Sequence, residues 1–215
     1  MTKRAIQILI QNTRISIDKR KIENNKPIKV VIFSTQNTDG KSIIQEEFCV
    51  ELRKFGYQVL SLNYIKENYH PKYFHEHLIK ENYLEYKVDD EFFTKRGISD
   101  LVGNSELDNY SEYDYVVVEI PSITHSPYPP EMMMEFDLAV MITRANRTWQ
   151  DADINSLNGI KEFLTEEPVV FLNGVDPEYL QELVGEIPKK RSRIRRIFKK
   201  LIRLQVFERY QLKKW

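Results

Sequence analysis

The chain has 215 residues, 41% hydrophobic and 30% charged, a balance that suits an ordinary globular protein with a buried core and excludes a long disordered or collagen-like chain. A single cysteine excludes a disulfide framework and a cysteine-paired metal motif and suits a reducing cytoplasm, and no apolar run approaches the roughly 20 residues of a membrane span. The formal charge of zero conceals two blocks: residues 189–215 hold 12 of the 32 basic residues but only Glu208 of the 32 acidic ones, so a tail at +11 is balanced by −11 on residues 1–188.

In chain order, the charged N-terminus comes first and lacks the apolar region of a signal peptide. "IKVVIFS" (residues 28–34) is a short β-branched apolar run and reads as a buried strand. The loop "STQNTDGKS" follows, and "SIIQEEFCVELRKFG" then places Ile43, Ile44, Phe48, Leu52 and Phe55 at helical spacing before Gly56 closes the segment. Cys49 lies within this helix and is expected in the core. Further buried strands are expected in "QVLSLNYI" (58–65), "YDYVVVEIP" (113–121), "FDLAVMITR" (136–144) and "EPVVFLNGV" (167–175), with a helix in "TWQDADINSLNGIKEFLTE" between the last two. Near-continuous apolar strands alternating with helices predict an α/β fold around a mostly parallel sheet.

Residues 66–112 are harder to place and read as helix and loop. His70, His75 and His77 fall there without a carboxylate or cysteine partner pattern, which favours surface or packing histidines over a metal site.

The loop after the first strand carries the strongest chemical signal. A phosphate loop needs backbone amides converging at a helix N-terminus, a glycine where a side chain would block the phosphate, a lysine for the β/γ-phosphates and a hydroxyl for Mg²⁺. Gly40, Lys41 and Ser42 supply that order after a strand and at the start of a helix, while Thr35 stands at the first glycine of G-x-x-x-x-G-K-[ST]. A bare GKS tripeptide is a weak signal, and its position gives it weight. An acidic residue closing a neighbouring apolar strand would complete a magnesium site. "VVVE" puts Glu119 there, the alternative being a carboxylate that merely ends a strand and is solvated.

On "YDYVVVEIPSI", "FDLAVMITRANRTWQDAD", "RGISDLV" and "FLNGVDPEYLQELVGEIPKKRSRIRR", the chain resembles the cytoplasmic P-loop domain of bacterial tyrosine kinases, part of the polysaccharide co-polymerases that set capsule and exopolysaccharide chain length, in the form found in Bacteroidetes. The resemblance runs from about Arg4 into the tail. It implies a P-loop NTPase-like three-layer fold, with ATP or ADP and Mg²⁺ as cofactors. Thr35, Asp39, Gly40, Lys41, Ser42 and Asn173 are the implied nucleotide-binding residues, Lys41 and Glu119 the catalytic candidates, and Ser42 and Glu119 the metal-holding ones.

The match departs from the family's pattern where the chemistry is done. The family's D-x-D carboxylates fall on Asn63 and Ile65, and neither side chain can take a proton from an attacking hydroxyl or neutralise a metal. The E-x-x-R-x-x-R that builds a ring between subunits falls on Arg4, Gln7 and Ile10, so a homo-oligomer is implied without its ring contacts. A tail tyrosine cluster, the family's phosphate acceptor, is reduced to Tyr210. The expected function is therefore a regulatory nucleotide-binding pseudokinase-like module with weak or absent activity, an active P-loop ATPase or tyrosine autokinase being the alternative.

The tail places Ile194, Ile197, Phe198, Leu201, Ile202 and Leu204 at near-helical spacing among cations. Such a helix suits an anionic membrane surface or the acidic body of this same chain, and without a groove-reading motif it suits no specific nucleic acid. The expected organisation is a kinase-like domain over 1–188 and a basic amphipathic tail over 189–215. The expected location is cytoplasmic and peripheral at the inner membrane, beside a membrane-embedded co-polymerase or export machinery. The chain begins at Met1 without a spanning segment, as a separate subunit or an excised domain would.

Overall fold

The computed structural model describes residues 6–11, 27–65, 82–101 and 112–175, all within one compact unit, Met1–Val175. The three clustered histidines, Arg4, the expected boundary at 188/189 and the basic tail lie outside the described residues.

Six strands form one sheet: β1 (Ile28–Phe33), β2 (Val59–Tyr64), β3 (Tyr83–Tyr86), β4 (Tyr115–Glu119), β5 (Leu138–Arg144) and β6 (Val169–Asn173). Their spatial order is β3-β2-β4-β1-β5-β6, and every pairing is parallel. The helices are α1 (Lys41–Lys54), the short α2 (Pro130–Met133) and α3 (Asp151–Lys161), and residues 6–11 are also helical. The five expected strands are present with trimmed ends, but β6 is not the buried strand expected, since Val170 and Leu172 stand exposed on an edge strand that is covered on one face only. β3 is a correction, since "YLEY" is a strand where helix and loop were expected. Four residues are too few to show a period, and β3 is fixed instead by pairing with β2 from Ser61↔Tyr83 to Tyr64↔Tyr86.

The central strands β1, β4 and β5 are apolar on both faces because both faces are covered. Val30 and Ile32 of β1 join Ile44, Phe48 and Leu52 of α1 on one side, together with Ile6, Leu9 and Ile10. Val31 and Phe33 point the other way, toward Phe92, Ile98, Met132, Met133 and Ile160. Alternation along one strand thus feeds two apolar layers, and a side chain such as Phe48, fully buried, contributes roughly 1.5–3 kcal/mol. Cys49 is buried in the α1 layer as expected, and burial pushes its thiol up to about 11. Two positions of the family's ring motif have work inside the chain: Gln7 donates to Glu51 Oε2 at 3.2 Å, and Ile10 is core.

The sheet order also fixes where a ligand would sit. From β1 the chain passes through α1 to β2, beyond β4, whereas from β4 it returns past β1 to β5. Connections leaving in opposite directions open a crevice at the carboxyl ends of the strands. The register pairs Ile32 with Glu119, so the loop after β1 and the acidic end of β4 are neighbours there.

Candidate functional site: a phosphate loop beside Glu119

After β1 the backbone crosses Ser34–Gln36, makes a 3-10 turn over Asn37–Asp39 and enters α1 through Gly40. Gly40 has φ +89°, in the left-handed region that L side chains rarely adopt. A Cβ on Gly40 would meet Asn173 Nδ2 at 2.5 Å, so the position needs glycine for backbone shape and for space. The cap of α1 has no side-chain hydrogen bond, and the first-turn amides of a helix have no intrahelical acceptor. This end is a cradle for an anion, favoured further by the helix dipole.

Lys41 is only 2% exposed, and its Nζ donates to Ser34 Oγ at 2.9 Å. The ammonium is thereby folded along the loop. Ser42 Oγ donates to Glu119 Oε1 at 2.8 Å. Glu119 is 1% exposed, which overturns the solvated strand-end reading and makes it a buried carboxylate with specific partners. Tyr86 Oη donates to the Glu119 carbonyl at 2.6 Å, and burial with the Glu119 charge raises both the Tyr64 and Tyr86 phenols well above their ordinary range.

Thr35 and Asp39 serve the loop's framework. Arg147 Nη2 donates to Thr35 Oγ1 and Arg147 Nη1 to Asp153 Oδ2, both at 2.7 Å. Arg147 Nε lies 3.3 Å from Asp39 Oδ1 but off the line of a hydrogen bond, so that contact is Coulombic. The guanidinium also sits 5.6 Å from the Trp149 ring centroid. Burial alone would raise the Asp153 carboxyl. The Gln150 amide, the Thr35 hydroxyl, Arg147 and Gln36 outweigh that and hold it well below the usual carboxylate range. Gln36 Nε2 donates to Asp153, which leaves Gln36 Oε1 to accept from His125 Nε2 at 2.7 Å. From the segment after β4, Ser122 Oγ donates to Asn37 Oδ1 and Thr124 Oγ1 to the Thr35 carbonyl, each at 2.6 Å. Asn173 Nδ2 donates to the Asp39 carbonyl at 2.9 Å and so closes over the loop from β6.

The structure therefore brings Thr35, Asp39, Gly40, Lys41, Ser42, Glu119 and Asn173 together at one crevice. Sequence reasoning missed Arg147, Asp153 and the Ser122–His125 segment. One local signal was available: Asp153 stands three residues after Gln150 and forms a capping box that starts α3.

The cradle fits the phosphates of a nucleotide, with a lysine, a hydroxyl and a glycine-shaped helix end in place. The acidic pocket implied for Mg²⁺ is a poorer fit. Ser42 and Glu119 are in contact, but Asn63 directs an amide nitrogen at Glu119 Oε2, 3.2 Å away, and Ile65 is an exposed apolar side chain. Among the described residues, no three His, Cys, Asp or Glu side chains group as a metal would need.

The fold is P-loop NTPase-like. The kinase domain of the Escherichia coli tyrosine kinase ETK superposes with a TM-score of 0.51 at 14% identity, covering 76% of this chain and 73% of that one. A possible uridine kinase from Bacillus stearothermophilus superposes with a TM-score of 0.41 at 16% identity, over 77% of this chain and 99% of the other. No protein-family profile matches the sequence, and no curated protein matches it. Among the described residues, no helix is long and apolar enough to cross a membrane.

Proposed function

We propose that this chain is a regulatory nucleotide-binding module of the P-loop kinase type, with phosphoryl transfer slow or absent, in capsular or exopolysaccharide biosynthesis and chain-length control. The observation that carries the nucleotide reading is the set Gly40, Lys41 and Ser42 at the start of α1, in contact with Glu119 at the end of the adjacent strand. ADP or ATP would lie with its β-phosphate at the amides of that turn and the Lys41 ammonium beside it. The weak-activity reading rests on Asn63 and Ile65. An amide between Gln45 and Glu119 accepts no proton from a hydroxyl nucleophile, and an exposed isoleucine holds no metal.

The polysaccharide pathway, a membrane-embedded co-polymerase as partner, self-association and a peripheral place at the inner membrane are inferred from the motif resemblance and from the +11 charge of residues 189–215. The intact Ser42–Glu119 contact favours the alternative of a working ATPase or tyrosine autokinase.

Calorimetry with ADP and ATP, beside a turnover assay, separates these readings. Loss of the Lys41 ammonium in Lys41→Ala removes a charge-assisted contact worth roughly 1.5–3 kcal/mol, so binding should weaken by about 10- to 150-fold. No binding by the wild-type chain at millimolar nucleotide refutes the proposal. Tyrosine phosphorylation by the wild type, lost in Lys41→Ala, replaces it with the autokinase.

A further inference from the structure

The amides beside Glu119 have only one self-consistent orientation, and it reaches the acidic end of the site. Gln45, fully buried in α1, lies with Nε2 3.1 Å from the Leu62 carbonyl and 3.2 Å from the Val117 carbonyl. Backbone carbonyls only accept, so the Gln45 NH₂ must face them and its Oε1 must face Asn63. Asn63 therefore turns its NH₂ to Gln45 Oε1 at 2.8 Å, and the same nitrogen lies 3.2 Å from Glu119 Oε2. Its own oxygen, the one atom of the amide able to touch a cation, accepts from Ser61 Oγ at 2.9 Å. Glu119 thus receives Ser42 on one oxygen and Asn63 on the other.

An aspartate at position 63 would set a second carboxylate against both Gln45 Oε1 and Glu119, an arrangement that needs a cation or a proton to hold it. The asparagine supplies hydrogen-bond donors where the aspartate would call for metal. We propose that this site takes nucleoside di- or triphosphate independently of a divalent cation, the Asn63 amide and the Ser42 hydroxyl compensating the Glu119 carboxylate in the cation's stead. This rests on the nucleotide reading above and concerns the regulation of the same site, since occupancy would follow nucleotide concentration and not magnesium.

The test is titration of the full chain with a fluorescent ADP analogue, once in EDTA and once in millimolar Mg²⁺, for the wild type and for Asn63→Asp. The wild-type dissociation constant should agree within about threefold between the two conditions, whereas the variant should bind at least about tenfold more weakly in EDTA than in Mg²⁺, as an uncompensated carboxylate pair requires. Wild-type binding that appears only with Mg²⁺ overturns this inference and leaves the nucleotide reading intact. Absence of binding in both buffers overturns both. A variant as indifferent to Mg²⁺ as the wild type removes Asn63 from the explanation, and if the variant does not fold, the two wild-type titrations decide the matter alone.

Discussion

Replacing Arg147 with methionine keeps an unbranched stem and deletes the guanidinium that joins Thr35, Asp39 and Asp153. Both carboxylates are fully buried. Removing one partner of a buried ion pair typically costs 3–5 kcal/mol, because the charge left behind is uncompensated. Arg147 is 17% exposed, so water can reach the vacated place, and Asp153 keeps the Gln150 amide and Gln36 Nε2. The low end, about 3 kcal/mol, is therefore expected at pH 7. For a domain of this size that lowers the melting temperature by about 6–12 °C. The pH dependence supplies a second reading. A carboxylate whose folded pKa is depressed stabilises the fold above its unfolded value, about 3.9, and loses that contribution as pH falls through the folded value. Asp153 is such a group: the Gln150 amide and the Thr35 hydroxyl lower it most, and Arg147 adds to them. Below about pH 4 the wild type should lose this contribution in full, while the variant, with the Gln150 and Thr35 hydrogen bonds but without Arg147, has less of it to lose, so the gap between them should narrow. Chemical denaturation of both proteins at pH 7 and at acid pH measures the gap. A loss below about 1 kcal/mol at pH 7, the scale of an exposed pair, would refute the reasoning, as would a gap that does not change in acid.

Gly40→Ala should lose about 2–3 kcal/mol, from the left-handed backbone and from the displaced Asn173 amide, and melting curves should show it together with weaker nucleotide binding. Tyr86→Phe removes the hydroxyl from the Glu119 carbonyl inside the core and should cost about 1–2 kcal/mol by urea titration. Cys49, buried and with its thiol pushed up to about 11, should resist alkylation at pH 8 in the native protein and react promptly in denaturant, as a thiol-reagent time course followed by mass spectrometry would show. The full chain should co-sediment with phosphatidylglycerol vesicles and release as salt shortens the screening length from about 10 Å at 0.1 M, and truncation after Pro188 should abolish this; equal binding by the truncated chain would free residues 189–215 of that role.

What could be read ahead of the structure follows from how far apart the cooperating residues lie. The strand at 28–33, the turn at Gly40 and the helix at 41–54 are adjacent in sequence and each has a local cause: β-branched residues, a glycine at positive φ, and apolar spacing of 3 to 4. Glu119 was legible as a strand end, but its burial was not, because that depends on Tyr86 and Asn63 arriving from strands 33 and 56 residues away. Arg147 is 112 residues from Thr35 and has no period or motif of its own, so only the order of the sheet brings the two together. β3 escaped notice for the same reason, a four-residue edge strand being defined by its neighbour.

Thr35 shows how the two kinds of information combine. At the first glycine of a phosphate loop, a β-branched residue looks like a defect, because that position normally lets backbone approach phosphate. Here its hydroxyl is held by Arg147 and its carbonyl by Thr124, and the residue is 1% exposed. The side chain has become part of the support under the loop, with Arg147 and Asp153 as its counterparts. A threonine is then an anchor, and replacing it by the glycine of the consensus should loosen the loop: Thr35→Gly loses the hydroxyl from a charged hydrogen bond and gains backbone freedom, together about 2–3 kcal/mol. In an Arg147→Met background part of that loss should vanish, since the hydroxyl then keeps only its hydrogen bond to Asp153. A double-mutant cycle on stability reads this directly. Additive losses would mean that Thr35 is a tolerated substitution and no anchor.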